Sequence, residues 1–281
     1  MTPVQRNAAY FATQVDATEL ERLMATARFR APHVLDGLRR IGLGRGDKVI
    51  DVGCGPVGAL LVLAECVGST GTVVGVDMDA PSLQRAGALL AQQGYADVQL
   101  VQANITTMLP TAVCPPGPFD VAVCMQFLNN QPQPVDTLRR IAAFVRPGGH
   151  LLVHTPLFFD PDPRTEPALP AHTVVRQWLG EVMRRRGASP DVGRDYRRLC
   201  QAAGLIEVSQ RGFFQVEAGS VAAHLRNSQA MVRGLRTQLV EQGIAAAEDV
   251  DVVLQQLQAA EAWEFQVYFT GTQVELIAQV P

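Results

Sequence analysis

Apolar and polar positions follow two alternating periods along this chain. Short β-branched apolar runs at 47–52, 72–77, 97–102, 119–125 and 149–155 predict buried strands, and the segments at 57–67, 80–93 and 134–145 between them predict helices. Turn-forming stretches fall where such a reading needs them: GSTG before the second strand, CPPGP before the fourth and RPGG before the fifth. Regular alternation of strand and helix implies parallel strands joined by crossover helices, hence a doubly wound α/β sheet. Ahead of it lies an amphipathic region over 3–42, which the pattern predicts to break near Arg30 and Pro32. Beyond Thr155 a proline-rich stretch leads to a helix over 172–187, a second over 193–203 and a strand over 205–211. Helical pattern then covers 218–262, and alternation over 272–280 closes the chain as a seventh strand. The expectation is one domain over 1–281, with a cover at 1–35, a core at 36–155, a second cover at 156–190 and a sheet-completing part at 191–281 that carries the 218–262 insertion.

Composition narrows the class. A hydrophobic fraction of 47% over 281 residues supports a large core. The net charge of −3 and the lack of basic runs interleaved with aromatics argue against a nucleic-acid groove. Lys48 is the sole lysine among 24 basic residues, a compositional bias rather than a chemical signal. Cys54, Cys66, Cys114, Cys124 and Cys200 are widely spaced, with no C-x-x-C pair, so reduced thiols and no metal are expected. No apolar run reaches the roughly 18–20 residues of a membrane span, and a polar stretch follows Met1, so a cytoplasmic protein is expected.

The glycine loop is the first chemical signal. Gly53, Gly55 and Gly58 follow an apolar strand with the spacing of a dinucleotide-binding turn, which by itself leaves the ligand open. Asp51 narrows the choice: a carboxylate entering the loop opposes a pyrophosphate and suits a ligand with a cationic end and no phosphate, such as S-adenosylmethionine. Asp77 ends the second strand, where a carboxylate accepts both hydroxyls of a ribose. Asn104 follows the third strand, and its amide oxygen can accept from an adenine amine while Met78 and Ile105 flank the ring.

The blocks VIDVGCGPVGALLVLAECVGSTGTVVGVDMD, VQLVQANITTMLP, FDVAVCMQFLNNQPQP and IAAFVRPGGHLLV, in that order, resemble the Rossmann-type (class I) S-adenosylmethionine-dependent methyltransferases. Within these the ubiquinone/menaquinone-type methyltransferase-domain group, which also populates bacterial secondary metabolism, is the most similar. The resemblance implies a mostly parallel, seven-stranded Rossmann-like sheet with helical covers. It also implies that Asp51, Gly53, Cys54 and Gly55 hold the methionine moiety, Asp77 the ribose, and Met78, Ala103, Asn104 and Ile105 the adenine. Backbone carbonyls at Cys124 or Met125 would accept from the ammonium, with Gln126 beside the methyl group, and Tyr10 on the N-terminal cover would reach the carboxylate. The chain departs from the group at Asn104, where an aspartate is usual, at Met125, where a polar residue is frequent, and at His154, where acidic residues commonly follow the fifth strand.

Methyl transfer to an oxygen needs a proton acceptor nearby. His154, at the carboxyl end of the fifth strand, is the first candidate, with His172 and Tyr196 next; the alternative for each is a hydrogen-bonded or packed side chain. Phe127, Asn130, Phe158 and Trp178 are candidates to line an acceptor pocket. Asp160 and Asp162 read as solvated turn residues rather than metal ligands. The expected function is methylation of an oxygen, nitrogen or carbon of a small, partly aromatic or apolar metabolite. The alternatives are an S-adenosylmethionine-binding cyclase on the same fold, an NAD dehydrogenase, which Asp51 opposes, and a non-catalytic binding module. Monomer and homodimer both remain open.

Overall fold

The computed structural model describes residues 17–112, 118–159 and 164–281. Helix α1 (Ala17–Ile41) precedes a run of alternating elements: β1 (Lys48–Val52), α2 (Leu60–Val67), β2 (Thr72–Asp77), α3 (Ala80–Gln92), β3 (Gln99–Gln102), β4 (Phe119–Met125), α4 (Pro134–Ala142) and β5 (Val145–Pro156). After β5 come the two-residue β6 (Thr165–Glu166), α5 (Pro170–Arg185), α6 (Tyr196–Ala203), β7 (Ile206–Ser220), α7 (Ala222–Glu241), α8 (Ala247–Ala260) and β8 (Glu264–Gln279).

One sheet takes the order β3-β2-β1-β4-β5-β8, with β7 and the short β6 both on β8. The strands β1 to β5 run parallel, and β8 enters antiparallel between β5 and β7. The apolar runs of the central strands are buried on both sides, as parallel strands between helix layers require. Val49, Val121, Val123 and Leu152 face α1, α2 and α3. Ile50, Val52, Ala122, Cys124, Leu151 and Val153 face α4 and α6, where Leu138, Ile141, Tyr196 and Leu199 meet them.

Three expectations are corrected. The N-terminal helix does not break at Arg30 or Pro32; α1 continues through Pro32. Proline forfeits one amide bond there, but packing of Val34 and Leu38 into the core outweighs local preference. RPGG lies inside β5 rather than before it: the pairing jumps from Phe119↔Val145 to Val121↔His150, so 146–149 bulge out through Gly148 at φ +75°.

The third correction is the largest. The strands expected at 205–211 and 272–280 are each about twice as long, a hairpin of 15 and 16 residues paired from Ile206↔Gln279 to Ser220↔Glu264. Its outer half leaves the main sheet and carries α5, α7 and α8 as a lobe with its own core of Val175, Leu225, Val232, Leu257, Phe265 and Tyr268. Register shifts between Glu207/Ser209, Gln215/Val216 and Glu217/Gly219 interrupt the period of two, which hides the outer half from a reading of alternation.

Candidate functional site

The carboxyl ends of the parallel strands converge on one rim. Adjacent registers carry a single row across it: Gln102↔Asp77 between β3 and β2, Met125↔His154 between β4 and β5, His154↔Glu275 between β5 and β8, and Glu275↔Arg211 between β8 and β7. Continuing Val52↔Val76 and Asp51↔Val123 outward sets Gly53 level with Asp77 and with Met125.

Gly53 turns the chain out of β1 at φ +69°, and its amide and that of Cys54 donate to the Val76 carbonyl at 2.8 and 3.1 Å. A Cβ on Gly53 would lie 2.4 Å from the Phe127 ring, and one on Gly58, at φ +52°, 2.4 Å from the Cys54 carbonyl oxygen and 2.7 Å from Asp51 Oδ2. The loop therefore needs glycine for close approach as well as for its backbone conformation.

Asp51 is fully buried. Its Oδ2 accepts from the Ala59 amide at 2.9 Å, while Oδ1 has no partner among the described residues. Burial pushes its carboxyl up to about 7 against the opposing Ala59 bond, with the nearby Asp77 adding repulsion. Asp77 Oδ2 accepts from the Gly55 amide at 2.8 Å and Oδ1 from the Asp79 amide at 2.9 Å, and burial raises its carboxyl too. Asp79 in turn caps α3, accepting from the Ser82 amide at 3.0 Å. One carboxylate thus ties the glycine loop to the start of α3.

Gly53, Val76, Asp77, Met78, Ala103, Asn104, Ile105 and Phe127 line an open cleft. Asn104 differs from expectation in its polarity: Oδ1 accepts from the Thr106 amide at 3.0 Å and from its hydroxyl at 2.7 Å. An amide N–H requires an acceptor opposite it, so the end of Asn104 left for a ligand is the NH₂ donor. Cys54 and Cys124 are buried, and burial pushes the Cys54 thiol well up and that of Cys124 up to about 12, so both pack rather than react. Gln126 has φ +53°, the one non-glycine residue with positive φ among the described residues. Its amide donates to the His154 carbonyl at 2.8 Å and its carbonyl accepts from Asn130 Nδ2 at 2.9 Å, which gives Asn130 a bond within the loop.

The candidate bases separate clearly. His172 lies in the lobe, its Nε2 donating to the Phe269 carbonyl at 2.8 Å and its Nδ1 accepting from the Tyr268 hydroxyl at 3.2 Å. Burial, with Arg176 nearby, lowers it to about 4. Tyr196 shares a 2.6 Å hydrogen bond with the Thr155 hydroxyl inside the α4/α6 core, and burial raises its phenol well above the usual range. Both ring nitrogens of His172 are thus engaged in packing, and Tyr196 is sealed in the core. Trp178 and Phe158 pack on the lobe core and are not among the cleft residues. Tyr10, Cys114, Asp160 and Asp162 lie outside the described residues.

His154 stands in the row beside Met125, fully buried, with Nε2 3.0 Å from Glu275 Oε2 and Nδ1 unpartnered among the described residues. It does not line the cleft itself. Glu275 escaped the sequence reading, although a charged residue inside the apolar run VELIA was a signal that it would be buried and need partners.

This sheet order with its antiparallel β8, and the carboxylates ending β1 and β2 around a glycine turn, define the class I S-adenosylmethionine-dependent methyltransferase fold. The methyltransferase-domain family matches residues 43–184, half of the chain, and the chain belongs to it. A ubiquinone biosynthesis O-methyltransferase from Thiobacillus denitrificans is 33% identical over 159 residues, covering 51% of this chain and 64% of that relative's length. A geranyl diphosphate methyltransferase solved in complex with S-adenosylmethionine superposes with a TM-score of 0.53 at 14% identity, covering 97% of this chain and 94% of that one. A (4+2)-cyclase, SpnF, superposes with a TM-score of 0.51 at 16% identity over 97% of this chain and 86% of that one. At those identities the two structures speak to the fold alone.

Proposed function

We propose that this chain transfers a methyl group from S-adenosylmethionine to a small, partly aromatic or apolar metabolite, with an oxygen as the favoured nucleophile, in bacterial secondary metabolism. The carrying observation is the rim around the glycine loop: a cleft that sets Gly53 and Asp77 beside apolar walls, Gly53 and Gly58 without room for a Cβ, and behind the loop the buried Asp51, whose Oδ1 has no partner among the described residues. The residues fit a nucleoside with a cationic, phosphate-free tail. Asp51 would face the ammonium or its water shell, Asp77 the ribose hydroxyls, and Asn104 NH₂ an acceptor nitrogen of the adenine, between Met78 and Ile105. The sulfonium, when bound, supplies an activated methyl group for in-line displacement. Phe127 and the covers exclude water from that reaction, and His154 takes the proton of the acceptor. The oxygen is favoured because the relative from T. denitrificans carries O-methyltransferase in its name.

Incubation with S-adenosylmethionine labelled in its methyl group and a panel of hydroxylated aromatic metabolites tests the proposal, with label in an acceptor as the expected result. The fold shared with a cyclase supports a second reading, because fold and cofactor do not fix the reaction. Substrate conversion without a mass gain would favour it. For the cofactor site, Asp77→Ala should weaken binding of the demethylated product S-adenosylhomocysteine by about 1.5–3 kcal/mol in calorimetry, and unchanged affinity would remove Asp77 from the ribose.

A further inference from the structure

We propose that Glu275 is a positioning residue for His154: it holds the imidazole with Nε2 protonated and so leaves Nδ1 as the atom that accepts the acceptor's proton. This rests on the reading of the rim as a methyl-transfer site with His154 beside the acceptor.

Five observations converge. His154 and Glu275 are register partners on adjacent antiparallel strands, with Nε2 and Oε2 3.0 Å apart and both side chains at most 1% exposed. Glu275 Oε1 is bound by Arg40 of α1 and lies 3.3 Å from Arg211 of β7, so the carboxylate is pinned from two further elements. Burial opposes its ionisation, but the His154 hydrogen bond and Arg40 outweigh that and hold it below the usual carboxylate range. An ionised carboxylate accepts and never donates, so the ring nitrogen facing it must carry the hydrogen. The other nitrogen, Nδ1, then carries a lone pair, and it is buried with no partner among the described residues. A folded chain ordinarily pairs such an atom, so an ordered water or a ligand completes the site, and on the methyl-transfer reading of the rim it is the acceptor. His154 also stands in the register row that begins at Asp77 and Gly53, on the face shared with Met125, two strands from the glycine loop.

The surroundings suit a base that is neutral at rest. The charged and titratable groups acting on His154 are Glu275 of β8 and Arg30 and His33 of α1, with Phe213 edge-on at 5.4 Å; behind Glu275 stand Arg40 of α1 and Arg211 of β7 on its Oε1, with Asp36 of α1 joined to Arg211. Burial, with Arg30 and His33, lowers the imidazole, while Glu275 opposes them. In the transfer the nucleophile's bond to the methyl carbon forms as the carbon–sulfur bond breaks, and the nucleophile's proton passes to Nδ1. The positive charge lost from the sulfonium thus reappears on an imidazolium beside Glu275, where the carboxylate stabilises it, until the proton leaves for solvent.

The test begins with the whole protein without acceptor. With ¹⁵N-labelled histidine, long-range ¹H–¹⁵N spectra report which ring nitrogen is protonated, and the signals missing from His154→Gln assign His154. The expected result is Nε2–H with bare Nδ1 in the wild type and loss of that single tautomer in Glu275→Gln. Once an acceptor is identified, Glu275→Gln should lower kcat by roughly 10²-fold, leave KM for S-adenosylmethionine within a few-fold and shift the pH profile, with partial recovery in Glu275→Asp. A wild-type Nδ1–H tautomer overturns the proposal even if Glu275→Gln fails to fold. Normal kcat and pH profile in Glu275→Gln while His154→Gln is inactive removes Glu275 alone. Full turnover in His154→Gln removes the base itself, and with it this part of the proposed function.

Discussion

At the residue scale the glycine loop and Asp51 set the constraints. Gly58 and Gly55 both have positive φ, but a Cβ on Gly58 strikes backbone at Cys54 and the Asp51 carboxylate, while one on Gly55 meets nothing within 4 Å. Gly58→Ala should therefore lower Tm and cofactor affinity far more than Gly55→Ala, which carries only a left-handed strain of about 1 kcal/mol. Calorimetry on the two variants checks the order. Asp51 gives a pH dependence with a definite sign. Its carboxyl titrates near 7 in the folded chain against an ordinary value of 3.8, so between those values the folded state holds a proton that the unfolded state has lost. Its contribution is full below 3.8 and lost as pH rises through about 7, by about 4 kcal/mol in the ligand-free protein. Asp51→Asn should flatten that slope in urea unfolding across pH. A cationic ligand end favours the ionised form, so affinity for S-adenosylhomocysteine should rise with pH up to about 7 in the wild type and stay level in Asp51→Asn.

At the scale of elements, α1 is docked by close approach and charge together. A Cβ on Gly37 would lie 2.8 Å from Leu152 Cδ1 and 2.9 Å from Glu275 Oε2, so this helix face meets the sheet nearly backbone to side chain. Arg40 reaches Glu275 and Asp36 joins Arg211, linking α1 to β7 and β8 beside His154. Overpacking this seam with Gly37→Ala should cost about 1–3 kcal/mol and speed amide exchange along α1 more than along β1 or β4. Equal protection in variant and wild type would show that the seam absorbs the methyl group. The long hairpin of β7 and β8 works differently: its inner half completes the sheet, and its outer half supports helices.

At the scale of the molecule, the lobe has a core separate from the two faces of the sheet, and its stability should be separable. Leu257 is fully buried there. Leu257→Ala should cost about 2–5 kcal/mol, with exchange accelerated across α5, α7 and α8 well beyond that in β1 to β4. His172 makes the lobe acid-sensitive. Its folded value near 4 lies below the ordinary 6.5, so its contribution is present above 6.5 and lost as pH falls toward 4, about 3 kcal/mol in all. Protection factors in α5, taken against intrinsic exchange at each pH, should therefore fall between pH 7 and 5, an effect that His172→Gln removes. The two buried groups thus pull stability in opposite directions with pH, His172 in the lobe and Asp51 in the sheet.

The sequence by itself determined the alternation from β1 to β5, because strand and helix periods and the turns between them are local properties of side chains and backbone. It also marked Asp51, Gly53, Asp77 and Ile105, since each lies at or within a few residues of a strand end that is visible in the pattern. Asn104 was legible as a cleft residue, but the direction of its amide depends on which of its atoms Thr106 engages, and only the fold shows that. The tertiary structure alone decided the continuity of α1 through Pro32, where burial of distant residues overrides a local break. It alone decided the outer half of the hairpin, where bulges scramble the period of two. It separated His154 from His172 and Tyr196, three residues that look alike as strand-end or helix candidates until their partners are known. Glu275 lies 121 positions from His154, and no local pattern can pair them. Their meeting depends on an antiparallel register fixed by the alternating faces of β5 and β8, in which Leu276 and Ala278 turn to one core and Ile277 to the other.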